Sequence, residues 1–310
     1  MAETMFAITQ DELGGPEVLR GVEVGRPVPG VGEVLVRVRA AGVNPADHMY
    51  RQTGAFGAHP PFTLGWDVSG TVSAVGPGVT VLAPGDEVFG LLPFPKGAGA
   101  YAEYVVAPTR ALVPKPDALT HPEAGALPLA GLTAWQSLVE TAHVTSGTRV
   151  LVTGATGGVG HLAIQIAAAL GAEVTALAST PNVDAARSYG AARVVDYRTT
   201  DVATVVADLD VVIDVLGGDF TATAVGVVRP GGTVVTMIPQ IADSTRTAAA
   251  ERGVRLAGLL VEADRLGLLE LVRLVEAGRL RPTVSATYPL AEAATAHRDG
   301  GGFGKTVLLP

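Results

Sequence analysis

The 310-residue sequence has no cysteine. That excludes disulfides, thiolate catalysis and any zinc site that needs Cys ligands. Positive charge is also scarce, with 22 Lys and Arg against 30 Asp and Glu, a net charge of −8. With no basic run in the chain, nucleic acid is not expected as its main partner. Long apolar runs are missing too. Leu162 to Leu170 is short of a membrane span and holds Gln165, so no membrane partner is expected. The opening MAETMFAITQ has no basic segment followed by an apolar core, so no secretory signal is expected. What remains is 48% hydrophobic and only 17% charged, enough apolar material for a large core. The expectation is a cytoplasmic globular protein of two domains.

The first third is rich in Gly and Pro and carries short alternating runs. Glu33 to Ala40 (EVLVRVRA) alternates as a half-buried strand does. Further strands are expected at Asp67 to Val75, Asp86 to Gly90 and Tyr101 to Ala107, with turns at Pro29-Gly30, Gly76-Pro77-Gly78 and Pro84-Gly85. After Pro122 the texture changes to alternating strands and helices. Strands are expected at 149–153, 173–178, 192–196, 210–215, 233–238 and 254–260, with helices between them at 158–170, 181–189, 200–208, 218–228 and 243–252. Six such strands suit a doubly wound, mainly parallel sheet. A helix over 262–277 follows, with Leu266, Leu269, Leu274 and Val275 near helical spacing. The tail returns to short strands and ends in KTVLL, residues 305–309, a strand expected to rejoin the first module. The fold class expected is α/β: a doubly wound domain over 123–266, inserted into a mainly-β domain built from 1–122 and 267–310.

The stretch LVTGATGGVG, residues 151–160, lies after the first strand of the α/β domain and before its first helix. Free N–H groups and the positive helix end favour an anion there. Thr156, Gly157, Gly158 and Val159 are the expected pyrophosphate cradle, with Gly157 for the tight turn, Gly158 for close backbone approach and Gly160 for helix packing. Ala155 stands where the usual G-x-G-x-x-G has its first glycine, so a turn that only packs is the competing reading. About twenty residues on, a carboxylate would bind the ribose 2′-hydroxyl of NAD. The sequence has Ala178-Ser179-Thr180 instead, which points to NADPH. Ser179 and Thr180 also suit capping of a helix opened by Pro181.

Several stretches together resemble the medium-chain dehydrogenase/reductase superfamily, in its quinone oxidoreductase branch: GEVLVRVRAAGVNPAD, LGWDVSGTVSAVGPGV, PGDEVFG, GAYAEYVVAP, the long run LPLAGLTAWQSLVETAHVTSGTRVLVTGATGGVGHLAIQIAAALGAEV, and GKTVLL. They cover nearly the whole chain in order. The resemblance implies a GroES-like substrate domain, a Rossmann domain, an active site in the cleft between them, and a homodimer joined through the last Rossmann strand, here Val254 to Leu260. It also implies what has been lost. The catalytic zinc ligands of the family's alcohol dehydrogenases correspond to Asn44, to Trp66-Asp67 and to a position near Leu129, none of which makes a zinc site. The six histidines are scattered, each expected to be a surface or satisfied side chain.

Without a Lewis acid, hydride addition to a conjugated acceptor is the easier reaction, because its charge spreads onto an oxygen that hydrogen bonds can stabilise. The expected activity is NADPH-dependent, zinc-independent reduction of a quinone or an α,β-unsaturated carbonyl compound. Asn44 is the expected carbonyl donor, Asp47 an orienting acid and Tyr50 a donor or acid. Trp66 either forms an aromatic pocket wall or simply fills the lost zinc cavity; Phe94 and Phe303 are expected at the pocket entrance. The resemblance further assigns Thr133, Ser179, Tyr197, Leu216, Gly217, Ile238 and Pro239 to the cofactor. Asn182 stands where the family often has Lys, which weakens the grip on a 2′-phosphate. Two other readings compete: an enoyl-thioester or polyketide-tailoring reductase, and a non-catalytic NADPH-binding sensor.

Overall fold

The computed structural model describes residues 3–97, 99–238 and 240–310. They form two compact units. One comprises residues 3–132, 262–276 and 282–310, and the other residues 133–261 and 277–281.

In chain order, the first unit opens with β1 (Thr4–Gln10), β2 (Arg20–Gly25) and β3 (Glu33–Val43). Helix α1 (Pro45–Thr53) follows, started by Pro45 and closed by Gly54 in the left-handed conformation, φ 64°. Then come β4 (Phe62–Thr63), β5 (Asp67–Val75), β6 (Glu87–Leu91), β7 (Tyr104–Pro108), β8 (Leu112–Pro114), α2 (His121–Ala126) and α3 (Pro128–Trp135). The alternating EVLVRVRA run is the heart of β3, which pairs antiparallel with both β5 and β7. Helix α2 packs on β3, and this unit continues past the change of texture at Pro122.

The second unit carries the βαβ alternation. Its strands are β9 (Arg149–Val152), β10 (Glu173–Ala178), β11 (Arg193–Asp196), β12 (Leu209–Asp214), β13 (Val228–Thr236) and β14 (Arg255–Gly258). Its helices are α4 (Gly160–Ala169), α5 (Val183–Ser188), α6 (Val202–Val205), α7 (Asp219–Val227) and α8 (Asp243–Glu251). The six strands are parallel in the order β11-β10-β9-β12-β13-β14. The order reverses between β9 and β12, the switch point where doubly wound sheets bind ligands. The Val, Ile and Leu runs of the inner strands β9, β10, β12 and β13 are largely buried, as strands covered on both faces must be. The helix expected over 200–208 shrinks to the single turn of α6, because Val202, Thr204, Val205 and Val206 are poor helix formers.

The chain then returns to the first unit with α9 (Arg265–Glu276), β15 (Val284–Pro289), α10 (Ala293–Asp299) and β16 (Lys305–Leu309). Helix α9 buries Leu268, Leu271 and Val275, whereas Leu266 is exposed, so the apolar stripe is set two residues from the expected start. Asp264 caps it by accepting from the N–H groups of Leu266 (2.9 Å) and Gly267 (2.6 Å). Strand β16 pairs antiparallel with β3, placing Thr306 opposite Val43, and parallel with β15. The order β15-β16-β3-β5-β6-β8 therefore joins the C-terminal strands to β3 in one sheet, while β1 pairs with β2 and β4 in a second. Among the described residues no helix is long and apolar enough to cross a membrane.

The glycine turn shows how the second unit is held. Gly154 takes the left-handed conformation, φ 55°, so that conformational demand falls three residues ahead of Gly157, the glycine expected to carry it. A Cβ on Gly160 would collide with the Gly154 carbonyl oxygen. Gly160→Ala is expected to lose about 1–3 kcal/mol of stability through overpacking. Urea unfolding of the variant checks this; an unchanged midpoint would show that the turn has room to spare.

Candidate active site

Four buried side chains meet where β3 runs into α1. The pairing of β16 with β3 delivers Lys305 beside Asn44, and β5 delivers Asp67 from the other side. The Lys305 ammonium donates to the Val43 carbonyl at 2.9 Å and to Asn44 Oδ1, and lies 3.6 Å from Asp67 Oδ2. Asn44 Nδ2 donates to the same Asp67 oxygen at 2.8 Å, while Asp67 Oδ1 accepts from the Leu129 N–H at 2.7 Å. Asp47 closes the start of α1, accepting from the N–H groups of Asn44 (2.9 Å) and Gly65 (3.0 Å). The carboxylate of Asp67 approaches so closely that a Cβ on Gly42 would lie 2.5 Å from it.

None of the four is more than 4% exposed. Burial raises the Asp47 carboxyl to about 7, opposed by the Asn44 N–H and assisted by the Asp67 charge. Burial also raises Asp67 and lowers Lys305, so it works against both charges of that pair. Both ends of the Asn44 amide are engaged within the cluster.

A group of aromatic rings adjoins this cluster. Trp66, next to Asp67, is fully buried and meets Tyr50 and Phe94 edge-on, each with centroids 5.1 Å apart. Tyr50 also meets Phe62 at 4.8 Å, and Phe94 meets Phe56 at 5.4 Å. Burial raises the Tyr50 hydroxyl above its ordinary value, so it is neutral at pH 7. The Trp66 Nε1–H has no hydrogen-bond partner among the described residues. Asn44, Asp47, Tyr50, Trp66 and Phe94 thus come together. Phe303 stands apart in the exposed loop before β16, with no ring contact to this group among the described residues.

In the second unit the residues expected to hold the cofactor, Thr133 of α3 apart, lie at the ends of β9, β10, β11, β12 and β13. Thr156 to Val159 lead into the N-terminus of α4. Among the described residues no partner takes the N–H groups of Thr156, Gly158, Val159 and Gly160. This is a cradle of donors at a positive helix end and fits a pyrophosphate. Thr153 Oγ1 accepts from the Val215 N–H at 2.9 Å, and Asp214 accepts from the N–H groups of Leu216 and Gly217, both at 3.0 Å. A Cβ on Gly217 would meet Ile238 at 2.5 Å, so the ends of β12 and β13 are pressed together. Pro239 lies outside the described residues. Ser179 is buried and accepts from Asn182 Nδ2 at 3.3 Å, whereas Tyr197 is 51% exposed. Thr133 is buried in α3. Thr180 donates to Asp196, a carboxylate that sequence reasoning did not single out because it comes from the neighbouring strand.

His121, His143, His161 and His297 have hydrogen-bond partners, and His48 and His297 stack in a second cluster of the first unit. His297 stacks on His48 with centroids 4.4 Å apart. Its Nδ1 faces Arg51 Nη1 at 2.6 Å and its Nε2 faces the Tyr101 hydroxyl at 3.0 Å. A guanidinium only donates, so Nδ1 is the acceptor and the ring is neutral. Burial, then the charges of His48 and Arg51, lower His297 to about 3.

Two predictions follow from these clusters. Lys305→Met leaves Asp67 and the Asn44 carbonyl oxygen buried without their cation; a loss of about 3–5 kcal/mol is expected by chemical denaturation. A loss within error of zero would show that the ammonium is dispensable. The unfolded chain protonates His297 below its ordinary pKa of 6.5 while the folded chain does so only near 3. Stability from this residue is therefore complete above 6.5 and lost as pH falls toward 3, whereas Asp47 acts in the opposite sense. The stability difference between the native protein and His297→Gln should shrink on acidification from pH 7 to 4, by up to about 1.4 kcal/mol per pH unit; a pH-independent difference would rule out this assignment.

The comparisons with known proteins bear on the family and the fold. Residues 30–117 match the family model described as the alcohol dehydrogenase GroES-like domain, and residues 189–308 match one described as zinc-binding dehydrogenase. The spectinabilin polyketide synthase system protein NorB of Streptomyces orinoci is 38% identical over 292 residues, 89% of this chain but only 13% of NorB. The quinone oxidoreductase of Sus scrofa is 32% identical over 325 residues, covering 98% of each chain. Among solved structures, the quinone oxidoreductase from Coxiella burnetii superposes with a TM-score of 0.92 at 34% identity, covering 99% of this chain and all of the other. The chain belongs to the medium-chain dehydrogenase/reductase superfamily, in its quinone oxidoreductase branch, a family of oxidoreductases that bind a nicotinamide cofactor.

Proposed function

We propose that this protein is an NADPH-dependent, zinc-independent reductase that delivers hydride to a quinone or an α,β-unsaturated carbonyl acceptor. The observation that carries this reading is the buried Lys305 ammonium, bonded to the Val43 carbonyl and Asn44 and paired with Asp67. One of the matching family models is described as zinc-binding, but these residues do not fit zinc. A metal here would face an ammonium. Leu129 offers an N–H, which cannot ligate, and there is no cysteine.

The nicotinamide, when bound, supplies the hydride. The donors of Thr156 to Gly160 hold the pyrophosphate, and the Leu216, Gly217 and Ile238 loops shape the nicotinamide end. With no Lewis acid, the acceptor must spread its developing charge onto its own oxygen. Tyr50 remains protonated and supplies a neutral donor to that oxygen, beside the Trp66 and Phe94 rings. Asn44 and Asp47 act as positioning residues: they fix the start of α1 and with it the direction of Tyr50. The exposed edge strand β14 is the proposed contact of a homodimer.

The similarity to NorB favours a second reading, in which the acceptor is an enoyl thioester. One panel separates the readings: NADPH oxidation with small quinones, enones and enoyl thioesters, with and without a strong chelator. Turnover with quinones or enones that the chelator leaves unchanged is expected. Turnover confined to enoyl thioesters would favour the second reading. Cofactor binding with no turnover on any acceptor would make the protein a sensor, and full loss on chelation would refute the zinc-independent site.

A further inference from the structure

The residues that end β10 contain no carboxylate, yet the fold supplies one from the next strand. Parallel pairing of β10 with β11 sets Ala178 opposite Asp196. The Asp196 side chain reaches across: its Oδ2 accepts from the Thr180 hydroxyl, and its Oδ1 accepts from the Arg198 N–H at 2.9 Å. The Tyr197 N–H ties the same corner to the Ala178 carbonyl at 3.3 Å. The glycine turn is anchored one residue earlier, where the Ala155 N–H donates to the Leu177 carbonyl at 3.2 Å. The pyrophosphate cradle and Asp196 therefore flank one strand end.

In a doubly wound sheet the adenosine ribose lies beyond the end of the second strand, and a carboxylate there accepts from the 2′-hydroxyl. The Thr180 hydroxyl, followed by the Arg198 N–H, holds the Asp196 carboxyl below its ordinary value, so it is ionised at neutral pH. A fixed negative charge beside the ribose oxygen welcomes a hydroxyl and opposes a phosphate. Of the nearby cations, Arg187 is paired with Asp184 at 3.4 Å, which leaves exposed Arg198 to face a phosphate.

We propose that Asp196 sets the cofactor specificity of this protein: its carboxylate accepts from the ribose 2′-hydroxyl of NADH and opposes the 2′-phosphate of NADPH. This rests on the nicotinamide-dependent reading above and revises its cofactor: NADH is used alongside NADPH. NADPH is accommodated through Ser179, Tyr197 and Arg198, and Asp196 is what keeps NADH competitive.

The test isolates the adenosine end. Titration calorimetry with 2′,5′-ADP and with 5′-AMP gives a Kd ratio for the native protein, for Asp196→Asn and for Asp196→Ser. Asp196→Asn keeps the shape and an acceptor oxygen and removes the charge; the serine variant guards against an accident of one substitution. Both are expected to shift the ratio toward 2′,5′-ADP by about tenfold, with a smaller shift at high salt. The NADPH to NADH ratio of kcat/KM should move the same way. An unchanged ratio in both variants, with both nucleotides still bound, overturns the role of Asp196 alone. Binding of neither nucleotide to the native protein overturns the cofactor reading and this assignment with it.

Discussion

A single buried ammonium organises the first unit. Lys305 begins the last strand, and its charge is balanced more than 200 positions away in sequence by Asp67 and by oxygens of Val43 and Asn44. Taking an ammonium and a carboxylate out of water costs several kcal/mol each, which only tight geometry and extra hydrogen bonds offset. That requirement explains the surroundings. Gly42 is glycine because Asp67 and the Gly125 carbonyl press on it from two sides. Asn44 spends both ends of its amide on the cluster, and Leu129 gives up its N–H to it. Strand β16 must reach β3 in one register, so the chain end and the start of α1 are set together.

The same constraint shapes the chemistry. In the proposed reading, a site whose internal cation is an ammonium offers an acceptor oxygen hydrogen-bond donors instead of a metal. The neutral Tyr50 hydroxyl beside the aromatic rings is the donor proposed for that oxygen. The second unit holds a cradle of N–H groups without partners among the described residues at the switch point of its sheet, which fits a pyrophosphate. Chemistry of this kind suits acceptors that delocalise charge, and disfavours simple ketones, which need a stronger electrophile.

Local features were legible in the sequence. The β9–turn–α4 unit follows from LVTGATGGVG and its flanks, and the six parallel strands follow from their apolar runs. That Asn44 and Trp66 stand where the family's alcohol dehydrogenases have zinc ligands was read by resemblance, and the β return of the tail was visible in KTVLL. Contacts made by pairing register were not. Nothing near Thr180 announces that Asp196 will arrive beside it, because the strand alignment decides that. The role of Lys305 was hidden because its partners Val43, Asn44 and Asp67 lie more than 200 positions away in sequence. Asn44 looked like a free donor because its neighbours in sequence do not reveal Asp67. The burial of α9 was offset from its leucine pattern because Asp264 starts the helix and turns Leu266 outward.

The central claim is hydride transfer from a nicotinamide to a conjugated acceptor without a metal. Its most direct test is a single turnover of metal-stripped protein with an enone and dihydronicotinamide cofactor carrying deuterium at both C4 positions. The account predicts deuterium at the β-carbon of the product, with a primary kinetic isotope effect. Product without deuterium, or turnover that appears only after zinc is restored, would contradict it.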